Sequence, residues 1–242
     1  MLRCGLLGRK LSHSYSPQIH KELAGYAYKL YEKEPEELEA FLRSKTFDGL
    51  NVTIPYKKAV MPLLDEISPE AAAIGSVNTI VNRDGKRTGY NTDAFGFAWM
   101  LQKSGVTVEG KKALVFGSGG ASATVQYVLR SLGASPVVII SRAGEDNYQN
   151  LKKHRDAKIL VNATPVGMYP GNGESPVDLS IFDAVDGVLD VVYNPARTAL
   201  MLQAEALSIP HASGLSMLVA QAKKACEYFT GNQVADAQID RI

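Results

Sequence analysis

The stretch Asn51 to Val60 reads NVTIPYKKAV, an apolar run that meets a proline and then two lysines. Pro55 fixes its own backbone angle and lacks an amide hydrogen, so the strand is expected to end near it, with Lys57 at its carboxyl end. Open α/β sheets gather their ligands at that end. A lysine there can give or take a proton if a partner holds its ammonium and a cleft sets its pKa. The candidate partner is Asp93 in GYNTD, where a helical run begins. An aspartate in a first helical turn also serves the helix dipole with no chemistry at all. On these residues alone both readings stand.

A second constellation is the glycine turn VFGSGGASA, with Gly117, Ser118, Gly119, Gly120 and Ala121 between an apolar strand and a helix. In a dinucleotide fingerprint the first glycine makes the turn and the second admits the pyrophosphate to the backbone. The third small residue allows helix and strand to pack, and phosphate then meets the helix N-terminus. The third place here is Ser122, which departs from the strict pattern but is small. The strand–turn–helix context favours dinucleotide binding over a purely structural turn. The next strand, VVII, ends in Ser141 and Arg142, where an NAD reader carries a carboxylate for the ribose hydroxyl. Arg142 suits a 2′-phosphate, with Glu145 and Asp146 close behind as competitors for its charge. NADP is favoured, and NAD is the alternative.

Around these residues the chain alternates strands and helices. LRCGLLG opens as a strand, Ser16-Pro17 reads as a capping serine with proline in the first turn, and Ser68-Pro69 repeats that signal. YAYKLYEKEP reads as a strand, EPEELEAFLRS as a helix, and FDGLNVTIP as a third strand. VNTIVNRDGKRTGYN reads as a hairpin turning at Asp84-Gly85. A helix follows from Asp93 to Gly105. Beyond it KKALVF, VVII, KILVNAT and DGVLDVVY are apolar on both faces, as parallel strands covered by helices must be. The expected architecture is an N-terminal α/β domain (1–97) and a Rossmann-like, doubly wound domain (98–215). A last helix (216–242) returns to the first domain, presenting Leu215, Leu218, Ala222, Ala225 and Phe229 on one face. Gly231 is its expected stop.

Composition bounds the rest. The 242 residues are 45% hydrophobic and 21% charged, with a formal net charge of +1, an ordinary globular balance without the basic footprint of nucleic-acid or anionic-membrane binding. Lys152-Lys153 and Lys223-Lys224 read as solvated surface pairs. Cys4 and Cys226 have no metal-like spacing and read as buried, reduced thiols. His20 reads as a helix-face residue, and His13 shows no sign of a metal or catalytic role. No run of about 18 apolar residues occurs and no leader is apparent, so the expectation is a cytoplasmic protein, monomer or homodimer, acting on a small molecule.

SHSYSP, NVTIPYK, GSVNTI, GYNTD, GSGGAS, NATPVGM and GLSMLVAQA occur in one chain, in that order, from about Leu6 to Ala222. In motifs, order and spacing the chain resembles the shikimate dehydrogenases. The resemblance implies Lys57 as the catalytic residue with Asp93 as its partner, and Ser14 and Ser16 as the cradle for a substrate carboxylate. It implies Asn78 and Gln221 on the substrate hydroxyls, Thr53 bordering the substrate and Tyr193 lining the cleft. Gly117, Ser118, Gly119, Gly120, Ala121, Ser141, Arg142, Val191 and Gly214 would hold the cofactor, and no metal is implied. The implied reaction is reversible NADP-dependent reduction of 3-dehydroshikimate to shikimate, in a cleft that closes on binding. The chain departs from the family pattern in keeping Arg142 alone of the basic residues after the second strand, and in being short between Arg142 and NATPVGM. The rival readings are a quinate or dual quinate/shikimate dehydrogenase, a non-catalytic NADP-binding regulator, and a dehydrogenase for another carboxylic or amino acid. The regulator would be expected to lose Lys57 or Asp93; the other dehydrogenase would be expected to change Asn78 and Gln221.

Overall fold

A computed structural model describes residues 1–242 except Ser12, His13 and Lys45. The reading of His13 therefore lies outside the described residues. The chain forms two compact units, Met1–Phe95 with Val219–Ile242, and Gly96–Leu218.

The first unit is built from β1 (Arg3–Gly8), α1 (Ser16–Leu23), β2 (Ala27–Glu32), α2 (Leu38–Arg43), β3 (Gly49–Val52), β4 (Glu66–Ile67), α3 (Pro69–Ile74), β5 (Thr79–Arg83) and β6 (Lys86–Tyr90), followed by the start of α4 (Asp93–Ser104). Its sheet runs β2-β1-β3-β5-β6-β4. β2, β1 and β3 are parallel, β5 is antiparallel to β3, and β6 is antiparallel to β5. Asp84 and Gly85, at φ of 52° and 86°, make the expected tight turn. Leu7, Leu42, Phe47, Leu50, Val77 and Ile80 fill one core cluster; Cys4, Val81, Ala225 and Phe229 form another. Gly49 belongs to the second contact, because a Cβ there would lie 2.4 Å from the Phe229 ring. Both cysteines are buried and unpaired, and burial pushes the Cys4 thiol up to about 12.

The two Ser-Pro signals part company. Ser68 caps α3, its hydroxyl accepting the Ala71 N–H at 3.2 Å, and Gly75 ends the helix at φ 71°. Ser16 does not cap α1: it is the first helical residue and the cap position is Tyr15. The hydroxyl that meets the helix start belongs to Ser14, which accepts the Ser16 N–H at 3.2 Å. Register, rather than residue type, separates the two.

The second unit holds β7 (Ala113–Phe116), α5 (Gly120–Ser131), β8 (Val137–Ile140), β9 (Ile159–Asn162), β10 (Gly187–Asp190), α6 (Ala199–Ala206) and β11 (His211–Ser213), followed by the start of α7 (Leu215–Thr230). Its sheet is parallel throughout, in the order β11-β10-β9-β7-β8. From β7 the chain runs outward to β8, then returns to β9 on the other side of β7 and continues to β10 and β11, the doubly wound arrangement with its switch point beside β7. Leu114, Phe116, Leu160 and Val188 are fully buried in its core.

Two expectations about α7 need correction. Leu215, its first residue, is 45% exposed, so the buried face starts later and runs through Val219, Ala222, Ala225 and Phe229. Lys223 is not solvated surface: it is 5% exposed, held by Glu227 at 2.7 Å and Asp236 at 2.8 Å and lying over the Phe95 ring. Two carboxylates compensate the desolvation of one ammonium. No helix among the described residues is long and apolar enough to cross a membrane.

Candidate active site

Strand directions bring the first unit's candidate residues to one edge of its sheet. β1 and β3 are parallel neighbours, so the segments that follow them leave the same edge carrying Ser14, Ser16, Thr53 and Lys57. Asn51 at the end of β3 pairs with Thr79 at the start of β5, and Thr79 pairs with Tyr90 at the end of β6. Asn78 therefore enters, and Thr92 and Asp93 leave, at that edge.

Lys57 stands five residues beyond the end of β3, within a run of turns rather than on the strand itself. That run is pinned on both sides. Tyr56 and Val60 are buried, the Val60 N–H donates to the Tyr56 carbonyl, the Tyr56 hydroxyl donates to the Lys33 carbonyl, and the Val77 N–H donates to the carbonyl of Lys57. From this base Lys57 Nζ donates to Asp93 Oδ2 at 2.6 Å, with the two side chains 18% and 11% exposed. Capping of α4 falls to Asn91, whose Oδ1 accepts the Ala94 N–H at 3.2 Å while its Nδ2 donates to the Ser76 carbonyl. Asp93 is thus turned to Lys57, not spent on its own helix.

Beside the pair lies a buried polar cluster. Asn78 Oδ1 accepts the Thr92 N–H at 2.7 Å, and its Nδ2 donates to Thr92 Oγ at 3.0 Å. Because a backbone N–H can only donate, the orientation of that amide is fixed. Thr92 Oγ also reaches Gln221 Oε1 at 3.4 Å and Thr79 Oγ at 3.1 Å. From Thr79 the chain of contacts runs to Asn51 Nδ2 at 3.2 Å, and Asn51 Oδ1 accepts from the Tyr28 hydroxyl at 2.8 Å. Burial pushes the Tyr28 phenol well up, opposed by its contact with the Ser16 hydroxyl. The network thus links Ser16 at one end with Asn78 and Gln221 at the other. Thr53 stays outside it, half-buried, its N–H bonded to the Leu7 carbonyl at 2.9 Å. His20 lies on the buried face of α1, fully buried, stacked on Tyr28 at 4.1 Å, with Nδ1 2.5 Å from the Tyr26 hydroxyl. Burial holds its pKa down at about 3.

In the second unit Gly117 has φ 106°, and a Cβ on it would meet the Thr164 methyl at 2.9 Å and the Ala163 carbonyl at 3.0 Å, so glycine is required. Ser122 is buried and its hydroxyl donates to the Gly117 carbonyl at 2.6 Å, which explains a serine in the third place of the fingerprint. Ser118 and Gly119 are exposed, Gly120 and Ala121 are half-buried, and α5 starts without a side-chain cap. The turn fits a phosphate: close backbone, open approach, uncapped helix start. Arg142 is exposed beyond half-buried Ser141. Asp146 does not compete for Arg142, since it binds Lys153 at 2.5 Å and His154 at 2.7 Å. Gly214 and Val191 meet closely, a Cβ on Gly214 lying 2.1 Å from the Val191 carbonyl oxygen, and Tyr193 nearby in sequence is half-buried.

Sequence reading missed Asn51, Thr79, Thr92 and Asp190, which are buried polar residues at strand ends. The available signal was a polar residue breaking an apolar strand just before its turn, as in LNVT and VLDVV. Among the described residues no group of His, Cys, Asp and Glu could hold a metal. A depression of about 560 Å³ bordered by Arg3, Arg43, Asp48 and Arg87 lies away from these residues, and its guanidiniums are ion-paired to Asp48, Glu39 and Asp65.

The family model described as the shikimate dehydrogenase substrate binding domain matches residues 6–80. The NADP(+) shikimate dehydrogenase of Clostridium beijerinckii is 39% identical over 92% of this chain and 90% of its own. The shikimate 5-dehydrogenase of Thermus thermophilus, solved with NADP(H) and shikimate, is 33% identical and covers 100% of this chain and 98% of its own, with a TM-score of 0.91. The quinate dehydrogenase of Corynebacterium glutamicum, solved with NAD, is 28% identical over 99% and 97% of the two chains, with a TM-score of 0.88. With 39% identity running through nine-tenths of both chains, this protein belongs to the shikimate dehydrogenase family.

Proposed function

We propose that the protein catalyses the NADP-dependent, reversible reduction of 3-dehydroshikimate to shikimate, a step in making aromatic amino acids. The observation that carries the reading is the pinned, half-buried Lys57–Asp93 contact at 2.6 Å beside a fully buried amide cluster. The NADP(H)- and shikimate-bound relative supports the choice of ligands. NADPH, when bound, supplies the hydride for the ketone carbon.

The chain's own residues do the rest. Lys57 Nζ gives its proton to the ketone oxygen as that oxygen gains charge, and takes the hydroxyl proton in the reverse direction. Asp93 aims Lys57 and keeps a negative charge beside the ammonium. Ser14 and Ser16 offer hydroxyl donors to the substrate carboxylate. Asn78 and Gln221 bind the ring hydroxyls and fix the carbonyl relative to Lys57, which supports rate through positioning. The dinucleotide is assigned to the second unit, with pyrophosphate on Gly117 to Ala121 and the 2′-phosphate on Ser141 and Arg142. Val191, Tyr193 and Gly214 are assigned to the nicotinamide end.

Steady-state turnover followed by nicotinamide absorbance tests this with shikimate or quinate, each paired with NADP or NAD. Fast turnover confined to shikimate with NADP is the expected result. Turnover with quinate or NAD would reassign the specificity toward that of the C. glutamicum relative. No turnover in any pairing would overturn the reading.

A further inference from the structure

Asp190 closes β10 and is completely buried. Its Oδ1 accepts from Asn162 Nδ2 at 2.9 Å and from the Val192 N–H at 3.0 Å; its Oδ2 accepts from Thr198 Oγ at 2.7 Å. All three partners are neutral donors, and no cation touches this carboxylate among the described residues. Two of these bonds have a fixed direction, because the Val192 N–H can only donate and the Asn162 amide is oriented by its neighbours. Thr198 Oγ accepts the Met201 N–H at 3.3 Å as the cap of α6, which leaves its own proton available to Asp190. Asn162 Oδ1 accepts the Thr164 N–H at 3.0 Å, leaving Nδ2 to serve Asp190 and the Val166 carbonyl. Three donors and no acceptor describe the ionised form. Burial pushes this carboxyl up, and the three hydrogen bonds oppose it.

A buried anion without a cation is expensive to keep. Neutral groups could tie these loops together, so the charge itself asks for a purpose. Doubly wound sheets bind a dinucleotide across the switch point, one nucleotide on each half. The glycine turn follows β7 and Arg142 follows β8, which places the adenosine there and leaves the nicotinamide to the side of β9 and β10. Asp190 lies at the carboxyl end of that side, tying the loops after both strands.

We propose, building on the assignment of NADP to the second unit, that Asp190 is a charge-bearing positioning residue: its unpaired carboxylate favours the cationic oxidised nicotinamide over the neutral reduced ring. The test is direct binding of NADP+ and of NADPH, each titrated by calorimetry without the second substrate. Asp190→Asn removes the charge at nearly constant shape and is expected to weaken NADP+ roughly five- to tenfold more than NADPH. Thr198→Val loosens the same contacts but keeps the charge, and is expected to change both affinities by the same factor. Equal changes for the two forms in Asp190→Asn overturn the proposal, as does an equal shift of their ratio in Thr198→Val. If Asp190→Asn does not fold, the double variant Asp190→Leu with Thr198→Val removes the charge together with the hydroxyl that donates to it, and the same ratio decides. Wild-type protein that binds neither form overturns the NADP assignment as well, whereas normal binding with an unmoved ratio overturns this inference alone.

Discussion

Two buried carboxylates stand at the strand ends of the two units, and their surroundings are opposite. Asp93, 8% exposed, faces the Lys57 ammonium at 2.6 Å. Asp190 is sealed among two side-chain donors and one backbone N–H. A carboxylate beside a mobile proton carrier is placed for chemistry on that proton, whereas a carboxylate among neutral donors keeps a fixed charge and a fixed loop geometry. The first should show itself in turnover when altered, and the second in stability and in ligand preference.

Variants of each can break that contrast. Lys57→Ala is expected to lower kcat by about 10²- to 10⁴-fold while leaving the urea midpoint nearly unchanged; substantial residual turnover would remove Lys57 from proton transfer. Asp93→Asn keeps the shape and is expected to lower kcat roughly a hundredfold, again with little loss of stability. Asp190→Ala strands three buried donors and is expected to lower the unfolding free energy by about 2–4 kcal/mol, measured by urea denaturation. If Asp93→Asn proved the more destabilising of the two carboxylate variants, the contrast would fail.

A pH series sharpens the picture of the first unit. His20 has its pKa held near 3 by burial, against an ordinary value of 6.5. Between those values the unfolded chain binds a proton that the folded chain refuses, so stability rises with pH across this window and is lost as pH falls below about 6.5. The expected contribution is at most about 1.4 kcal/mol per pH unit. His20→Gln should flatten that slope relative to the wild type in denaturation curves between pH 4 and 6.5; an unchanged slope would show that His20 is protonated in the fold. The smallest expected difference concerns the two Ser-Pro helix starts. Ser68→Ala should cost about 1 kcal/mol, and Ser16→Ala less, because Ser68 caps its helix and Ser16 does not.

The sequence carried the features that depend on local chemistry. Asp84-Gly85 demanded a tight turn, Gly117 a turn between strand and helix, and four apolar runs a covered parallel sheet, and each is found. Lys57 and Asp93 were legible as a pair because proline and a helix start marked their positions. What stayed hidden depends on partners far apart in the chain. Lys223 looked solvated until the Phe95 ring, far off in the chain, lay beneath its ammonium. Thr92 carried no signal of its own, and only the fold brings Asn78 and Gln221 to its hydroxyl. The strands β4 and β11, two and three residues long, are too short to carry a periodic signal and exist only as additions to a sheet already formed.

Those short strands have a consequence for how the protein behaves in a crowded solution. A sheet edge offers unpaired backbone groups to any passing strand, and the danger grows with its length. β4 and β11 end their sheets with edges of two and three residues, too little for another chain to grip. The six-residue edge at β2 carries Leu30, 42% exposed, between exposed Lys29 and Glu32. A strand adding there would have to bury or match two opposite charges around one leucine, so the longest of these edges guards itself against fibre-like growth.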